Sequence, residues 1–474
     1  MKVLLIASEA VPFIKTGGLA DVIGSLPLEL RKLGIEARVI LPNYGDIPLQ
    51  FKEKMVLRKK LIITMGWRYH QCSIFELKRD GINFYFIDND YFFNRSGLYG
   101  FYDDAERFAF LCRATLEALP YIDFLPRILH CHDWHTGLVP VFLKARYGSD
   151  LFYKDIRTLF TIHNLEYQGL FPLDLLQELL ELGDEYFTTE GLEYFGEGSY
   201  LKGGLVFADF LSTVSKTYSE EIQGSYYGLS GLLRARRENL VDILNGLDYQ
   251  SYDPMSDTEI FVPYRNSLAK KRKNKLKLQE TLGLPKGENI PVITFINRLV
   301  EQKGLDLITD AMEEILSMDL QLIFLGMGLK KYEKFLAGMA WHNPQKLSLN
   351  LFYDDSLARK IYAGSDMLLL PSLFEPCGIC QLIAMRYGTI PIVRETGGLK
   401  YTVQAFDESE MEGNGFTFAD FNARDMLSTI KRAVDFYGDK KAWSVLVRNA
   451  VKRDYSWSGP AQQYRDLYRH ILEI

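Results

Sequence analysis

The sequence predicts an α/β protein built from two doubly wound parallel sheets. Three observations point to it: short apolar runs alternate with amphipathic stretches, the alternation stops and restarts near mid-chain, and each half carries a TGGL tetrapeptide between a predicted strand and helix. Strands that are apolar on both faces are the mark of a parallel sheet covered by helices. At 474 residues the chain exceeds one ordinary core, and a prior of roughly 150 residues per domain favours two large domains or three smaller ones.

In the first half, "KVLLIAS" from Lys2, "EARVILP" from Glu36, "NFYFIDN" from Asn83, "RILHCHD" from Arg127, "RTLFTIH" from Arg157 and "DFLSTVS" from Asp209 read as strands. An aromatic-rich piece from Tyr44 to Asp104 interrupts them and reads as an insertion or surface hairpins. The pattern restarts behind "DILNGLDYQSYDP" (Asp242 to Pro254) with "PVITFINRL", "LQLIFLGMG", "DMLLLPS" and "IPIVRETGG". Proline, glycine, aspartate and charge concentrate between Leu244 and Lys277, which therefore reads as the hinge region.

Composition narrows the function classes. A chain with 47% hydrophobic residues, 24% charged residues and a net charge of −6 is ordinary for a globular protein and argues against broad electrostatic binding to nucleic acid. The basic run "KKRKNKLK" (Lys270 to Lys277) lacks interleaved aromatics for base stacking and reads as a solvated helix face. The N-terminal apolar run is short and followed by Glu9, so a buried strand is expected there rather than a signal peptide. No segment has the apolar length of a membrane span. The five cysteines, Cys72, Cys112, Cys131, Cys377 and Cys380, are an odd and sparse set without an export signal, which predicts a reducing cytoplasm.

The candidate chemistry lies at strand ends. "KTGGLADVIGSL" (Lys15 to Leu26) and its echo "ETGGLKYTVQAF" (Glu395 to Phe406) each place adjacent glycines before a helix, where free N–H groups suit an anion. Neither is a nucleotide fingerprint: the chain has no GxxxxGK[ST] and no GxGxxG. In "NRLVEQKGLD", Arg298 and Lys303 follow a strand and Gly304 opens the next helix. Forked and point-like cations together suit a departing diphosphate, whereas cations at a helix start are otherwise disfavoured by the macrodipole. "LPSLFEPCGICQ" brackets Glu375 with Pro376 and Gly378, a turn able to present a carboxylate to sugar hydroxyls. A lone CxxC, Cys377 and Cys380, is weak support for zinc or redox chemistry. His130, His132 and His135 in "HCHDWHTG" lack an HExxH pattern and read as structural or substrate-contacting rather than metal ligands. His163 and Asn164 stand at another strand end, where a lone histidine is usually a packing residue.

Taken together, "KTGGLADV", "HDWHTGL", "FTIHNLEYQG", "STVS", "ILNGLD", "NRLVEQKGLD" and "LPSLFEPCGICQ" resemble the ordered motif set of bacterial glycogen synthases and plant starch synthases, as does the C-terminal "YSWSGPAQQYRDLY". The resemblance implies a GT-B fold with the active site between two Rossmann-like domains, residues 1–243 and 244–458, and a C-terminal helix, 459–474, that packs back on the first. It also implies retaining transfer of glucose from ADP-glucose to the non-reducing end of an α-1,4-glucan such as glycogen, with no cofactor and no metal. By motif position Lys15, Gly17 and Gly18 would bind the donor, with Arg298 and Lys303 on its diphosphate and His163 and Glu375 at the transferring glucose. Asn245, Cys377, Gly378, Thr396 and Gly397 match donor-site positions, Tyr353 matches the residue stacked on adenine, and Asp133 and Trp134 lie toward the acceptor.

The chain departs from the family pattern at Asn297, where serine is frequent, at Tyr252, where tryptophan is common, at Tyr401, where aspartate is usual, and in the glycine-poor "YYGLSGLL" from Tyr226. Donor or acceptor preference is where such departures would act. A glucan phosphorylase would need a pyridoxal-phosphate lysine and a much longer chain. A sugar-nucleotide epimerase of the same fold would need no glucan, and a silent glucan binder would have no use for Lys15, Arg298, Lys303 and Glu375.

Overall fold

The computed structural model describes residues 1–224 and 228–473; Tyr226 and Tyr227 of the glycine-poor segment and Ile474 of the expected terminal helix lie outside the described residues. By its internal contacts the chain divides into two units, Met1–Gly246 with Trp457–Ile474, and Leu247–Ser456.

The first unit holds β1 (Lys2–Ile6), β2 (Glu36–Pro42), β3 (Val56–Met65), β4 (Arg68–Arg79), β5 (Ile82–Asp88), β6 (Ile128–His132), β7 (Arg157–Ile162), β8 (Leu170–Pro172), β9 (Glu193–Tyr194), β10 (Glu197–Ser199), β11 (Phe210–Thr213) and β12 (Leu240–Asp242). Its main sheet runs β12-β11-β7-β6-β1-β2-β5-β4-β3, parallel from β12 to β5. β8, β10 and β9 form a small separate sheet. Val3, Leu4, Leu5 and Ile6 have no exposed surface, so β1 is apolar on both faces because helices cover both. The winding reverses at β1, with β2 on one side and β6 on the other, and such a switch point opens a crevice at the strands' carboxyl ends.

The stretch from Tyr44 to Asp104 does hold hairpins, and they are part of the main sheet. Its strands β3, β4 and β5 form an antiparallel meander, from Val56↔Glu76 to Arg79↔Ile82 with a register shift between Leu57 and Lys59, and they extend the main sheet to its edge. Burial of Ile63 and Met65 on β3 and of Cys72 and Ile74 on β4 supplies the inner face, while the outward residues mix charge, as at Lys60, with exposed apolar side chains such as Ile62 and Tyr69. The helix Ser458–Glu473 belongs to this unit; Ala461, Tyr464, Leu467, Tyr468 and Ile471 recur at three- and four-residue spacing and are buried, partly against the helix Gly18–Lys32.

The second unit holds β13 (Val292–Ile296), β14 (Gln321–Leu325), β15 (Leu347–Asn350), β16 (Met367–Leu370), β17 (Ile390–Arg394) and β18 (Phe416–Phe418). They form one parallel sheet in the order β15-β14-β13-β16-β17-β18, with the switch point between β13 and β16. Both units are thus doubly wound, the GT-B arrangement of two Rossmann-like sheets. No helix among the described residues is long and apolar enough to cross a membrane.

The expectation of a solvated basic face at Lys270 to Lys277 holds for one side of the helix, where Lys270, Arg272, Lys273 and Lys277 are exposed, and fails for Lys271 and Lys275. These residues lie on the helix Leu268–Thr281, which packs into the second unit with Lys271, Asn274, Lys275 and Leu278 buried. Lys271 Nζ donates to the carbonyls of Tyr362 and Ala363 and to Thr389 Oγ1. It thereby caps the end of the helix Asp355–Gly364, where unpaired carbonyls favour a cation. Lys275 Nζ meets Asp366 Oδ2 at 2.7 Å, Tyr437 Oη at 2.9 Å and the Glu288 carbonyl at 3.1 Å. Both buried amines have acceptors, yet burial still lowers the Lys271 pKa to about 7. The irregular stretch behind Leu244 therefore stops at Ser267, which accepts from the Lys270 N–H as the helix N-cap.

Candidate active site

At the carboxyl edge of the first sheet, the chain leaves β1 through a long loop and enters the helix Gly18–Lys32. Lys15 is exposed in that loop and pairs with Asp21 at 2.8 Å. The neighbouring backbone is held from inside by Glu9, 3% exposed, whose Oε2 accepts from Thr16 N at 2.5 Å and Thr16 Oγ1 at 2.8 Å. Burial raises the Glu9 pKa, and the Thr16 and Gly17 N–H groups oppose that rise. The anion satisfying these amides is therefore the protein's own carboxylate. Sequence reasoning missed this role, although an acid directly behind an apolar strand was its signal. Gly17 is extended, and a Cβ there would meet nothing nearer than Glu9 Oε1 at 3.8 Å, so the chain's side of this loop is open.

The ends of β6 and β7 converge beside it. Asp133 adopts φ 59°, and its Oδ1 accepts from the His163 N–H at 2.7 Å and the Asn164 N–H at 3.3 Å. Burial raises its pKa to about 7 against the pull of those two donors. The Asp133 carboxylate thus fixes the backbone at His163. Trp134 is 8% exposed, stacks on His135 at 4.1 Å and packs edge-on to Phe108, so its indole is wall rather than open platform. His163 is half-buried, burial lowers its pKa to about 3, and its Nε2 lies 2.9 Å from His132 Nδ1. His130 is committed elsewhere, to Tyr468 Oη and Thr161 Oγ1. Among the described residues no group of three or more His, Cys, Asp or Glu is gathered to hold a metal ion. Asn245, just past β12, is 4% exposed, and its Oδ1 has no hydrogen-bond partner among the described residues.

The second sheet brings its candidates together at the β13/β16 switch point. Gly304 takes φ +76°, and a Cβ there would lie 2.1 Å from the Pro371 carbonyl, so only glycine lets the loop after β13 lie against the loop after β16. Leu373 N donating to the Gln302 carbonyl at 2.8 Å closes the same contact. The result is a Lys303 Nζ to Glu375 Oε2 ion pair of 2.7 Å, with Ser372 Oγ donating to the same oxygen at 3.2 Å. The second TGGL loop packs on this turn. A Cβ on Gly397 would fall 2.1 Å from the Glu375 carbonyl and one on Gly398 would fall 1.8 Å from that of Cys377. The close approach read from the paired glycines is thus a feature of this loop, whose approach is to the protein's own backbone. Thr396 is buried as the residue before the helix Gly397–Thr402. Gly378 has φ +70°, and Gln381 Nε2 donates to the Cys377 and Gly378 carbonyls.

Arg298 and Tyr353 are both exposed, at the ends of β13 and β15, while Asn297 Oδ1 accepts from the Arg298 N–H. Tyr252 stacks under the Arg359 guanidinium at 4.6 Å, and Tyr401 stands 47% exposed. Cys377 is buried and Cys380 opens the helix Cys380–Arg386 with Sγ 3.7 Å from the Ile296 carbonyl; neither is in a disulfide.

Residues 2–235 match the family described as Starch synthase catalytic domain, and residues 277–445 match Glycosyl transferases group 1. The chain is 54% identical over 475 residues to a glycogen synthase of Desulforamulus reducens, covering 100% of this chain and 99% of that protein. It is 52% identical to a glycogen synthase of Geobacillus stearothermophilus, covering 100% and 98%. Among solved structures it superposes on the catalytic domain of starch synthase IV from Arabidopsis thaliana bound to ADP and acarbose, with TM-score 0.93, 32% identity and coverage of 100% and 99%. A sucrose-phosphate synthase from Thermosynechococcus elongatus shares the fold at TM-score 0.64 and 15% identity.

Proposed function

The chain belongs to the family of bacterial glycogen synthases and plant starch synthases and is a glycosyltransferase, and from that premise we propose that it transfers glucose from ADP-glucose to the non-reducing 4-hydroxyl of an α-1,4-glucan with retention of configuration. The observation that carries the reading is the buried Lys303–Glu375 pair at the switch point, with Arg298 exposed on the same sheet edge. A cation paired with a carboxylate, and a second cation on the same sheet edge, meet the two demands of the reaction. Lys303 and Arg298 neutralise the charge that grows on the departing diphosphate, and Glu375 accepts hydroxyls of the transferring glucose.

The remaining assignments follow the same chemistry. Lys15 serves the donor phosphates, with Gly17 and Gly18 leaving its loop open, and the unpartnered Asn245 Oδ1 offers an acceptor to a donor hydroxyl. Gly378, Cys377, Thr396 and Gly397 shape the turn that carries Glu375, and the exposed Tyr353 ring is available to stack on adenine. His163 lies at the transferring glucose, its backbone held by Asp133, and Trp134 braces the acceptor side. Double displacement would need a carboxylate behind the anomeric carbon. None of the assigned residues supplies one, so attack runs from the front face as the diphosphate leaves. Orienting the 4-hydroxyl and excluding water separate transfer from hydrolysis.

Label transfer into glycogen from ADP-glucose and UDP-glucose in parallel tests the proposal. Incorporation from ADP-glucose, lowered by at least about 100-fold in Lys15→Ala, is expected, the size of one transition-state donor lost. Incorporation from neither sugar nucleotide overturns it in favour of a glucan binder or an epimerase.

A further inference from the structure

We propose that His132 is a positioning residue which, by donating its Nδ1 proton to His163 Nε2, fixes His163 as the tautomer that carries its own proton on Nδ1. The inference rests on the reading that His163 serves the transferring glucose.

The two ring nitrogens are 2.9 Å apart, so one donates and the other accepts. Burial disfavours the imidazolium form of both rings, and each keeps a single proton. What decides the direction is the far side of His132, which has no exposed surface and whose Nε2 has no hydrogen-bond partner among the described residues. A proton on that Nε2 would be a buried N–H with no acceptor. A proton on Nδ1 leaves only an unused lone pair there and satisfies His163 as well. Orphaned buried donors are the rarer case, so the Nδ1–H form of His132 is favoured.

His132 has little freedom to change this arrangement. The His130 ring lies against it with centroids 4.0 Å apart. His130 is itself tied at both nitrogens, by Tyr468 Oη at 2.8 Å and Thr161 Oγ1 at 2.6 Å, and Thr161 Oγ1 bonds Ser212 Oγ at 2.6 Å. Tyr468 comes from the C-terminal helix, so that helix backs the histidine stack. On the other side the His163 N–H is held by Asp133. With its backbone and Nε2 both committed, His163 has Nδ1 left to meet a ligand. In the assigned tautomer that atom is a donor, suited to a sugar hydroxyl oxygen or to an oxygen gaining negative charge.

The test uses the full chain labelled with 15N-histidine, whose seven histidines keep the spectrum readable, with His163 identified by the signals lost in His163→Gln. In the unliganded wild-type chain we expect a protonated Nδ1 and a bare Nε2 on His163; a proton on Nε2 overturns the proposal. In His132→Leu, mixed tautomers at His163 are expected, with kcat down about tenfold, the value of one hydrogen bond, and donor KM changed by less than about threefold. His132→Asn places an amide nitrogen the same number of bonds from Cβ as Nδ1 and should restore both readouts. Unchanged His163 signals in a folded His132→Leu overturn the positioning role. A lost tautomer with unchanged kcat overturns instead the placement of His163 at the transferring glucose.

Discussion

Replacing Lys303 with methionine removes the cation 2.7 Å from Glu375 and leaves that carboxylate with Ser372 Oγ at 3.2 Å as its side-chain donor. The two side chains expose only 9% and 12% of their surface, so the orphaned charge regains little water. Removing one partner of a buried pair costs about 3–5 kcal/mol, and this pair sits near the sheet's rim, so the lower end applies. The same substitution removes a donor to the departing diphosphate, a loss of about 2–4 kcal/mol of transition-state stabilisation, or roughly 30- to 1,000-fold in kcat/KM. The two losses separate in the double variant Lys303→Met/Glu375→Gln. It carries no orphaned charge, so its melting temperature should return close to wild type, whereas elongation of glycogen should stay at or below the level of the single variant. Thermal melting followed by circular dichroism, together with kcat/KM measured well below the lowest melting temperature, reads both quantities. A double variant that recovered activity along with stability would make the pair purely structural and sink both site assignments.

Asp133 gives a pH-dependent outcome. Its carboxyl, raised to about 7 by burial, binds a proton in the folded chain that the unfolded chain releases near 3.8, so its contribution to stability falls as pH rises from about 4 to 7. Asp133→Asn should therefore gain in melting temperature relative to wild type across that window, while losing the acid limb near pH 7 in the pH profile of kcat/KM; an unshifted profile refutes the link between this carboxylate and His163. Lys275→Met removes the ammonium 2.7 Å from Asp366 and leaves that carboxylate to the Val292 N–H and the Tyr437 hydroxyl, and should cost about 3 kcal/mol, or roughly 6–12 °C in the melting of a unit this size. Its elongation rate at low temperature should match wild type, since Lys275 touches none of the assigned site residues.

What the residues disclosed, and what they hid, divides along physical lines. Parallel strands inside a sheet announce themselves because both faces must be apolar, and the ten runs read as such all contain strands, whereas the short parallel strands β12, β15 and β18 at the sheet edges went unread. β3 and β4 escaped because an edge meander buries one face only, and its charged outward residues blur the signal. The basic helix misled at Lys271 and Lys275 for a related reason. Eight residues with five lysines and an arginine look solvated until the fold delivers acceptors to one stripe, and the carbonyls of Tyr362 and Ala363 that hold Lys271 lie about ninety positions away. The site shows the same split. Lys303 and Glu375 were legible one by one, since each sits beside a glycine or proline at a strand end, but their pairing depends on Gly304 meeting Pro371. Glu9 carried no motif of its own, and His132, although it opens "HDWHTGL", carried no sign of its partner. Their parts come from what they hold: Glu9 takes an amide of its own loop, and His132 a ring nitrogen that reaches it only when β6 and β7 stand side by side.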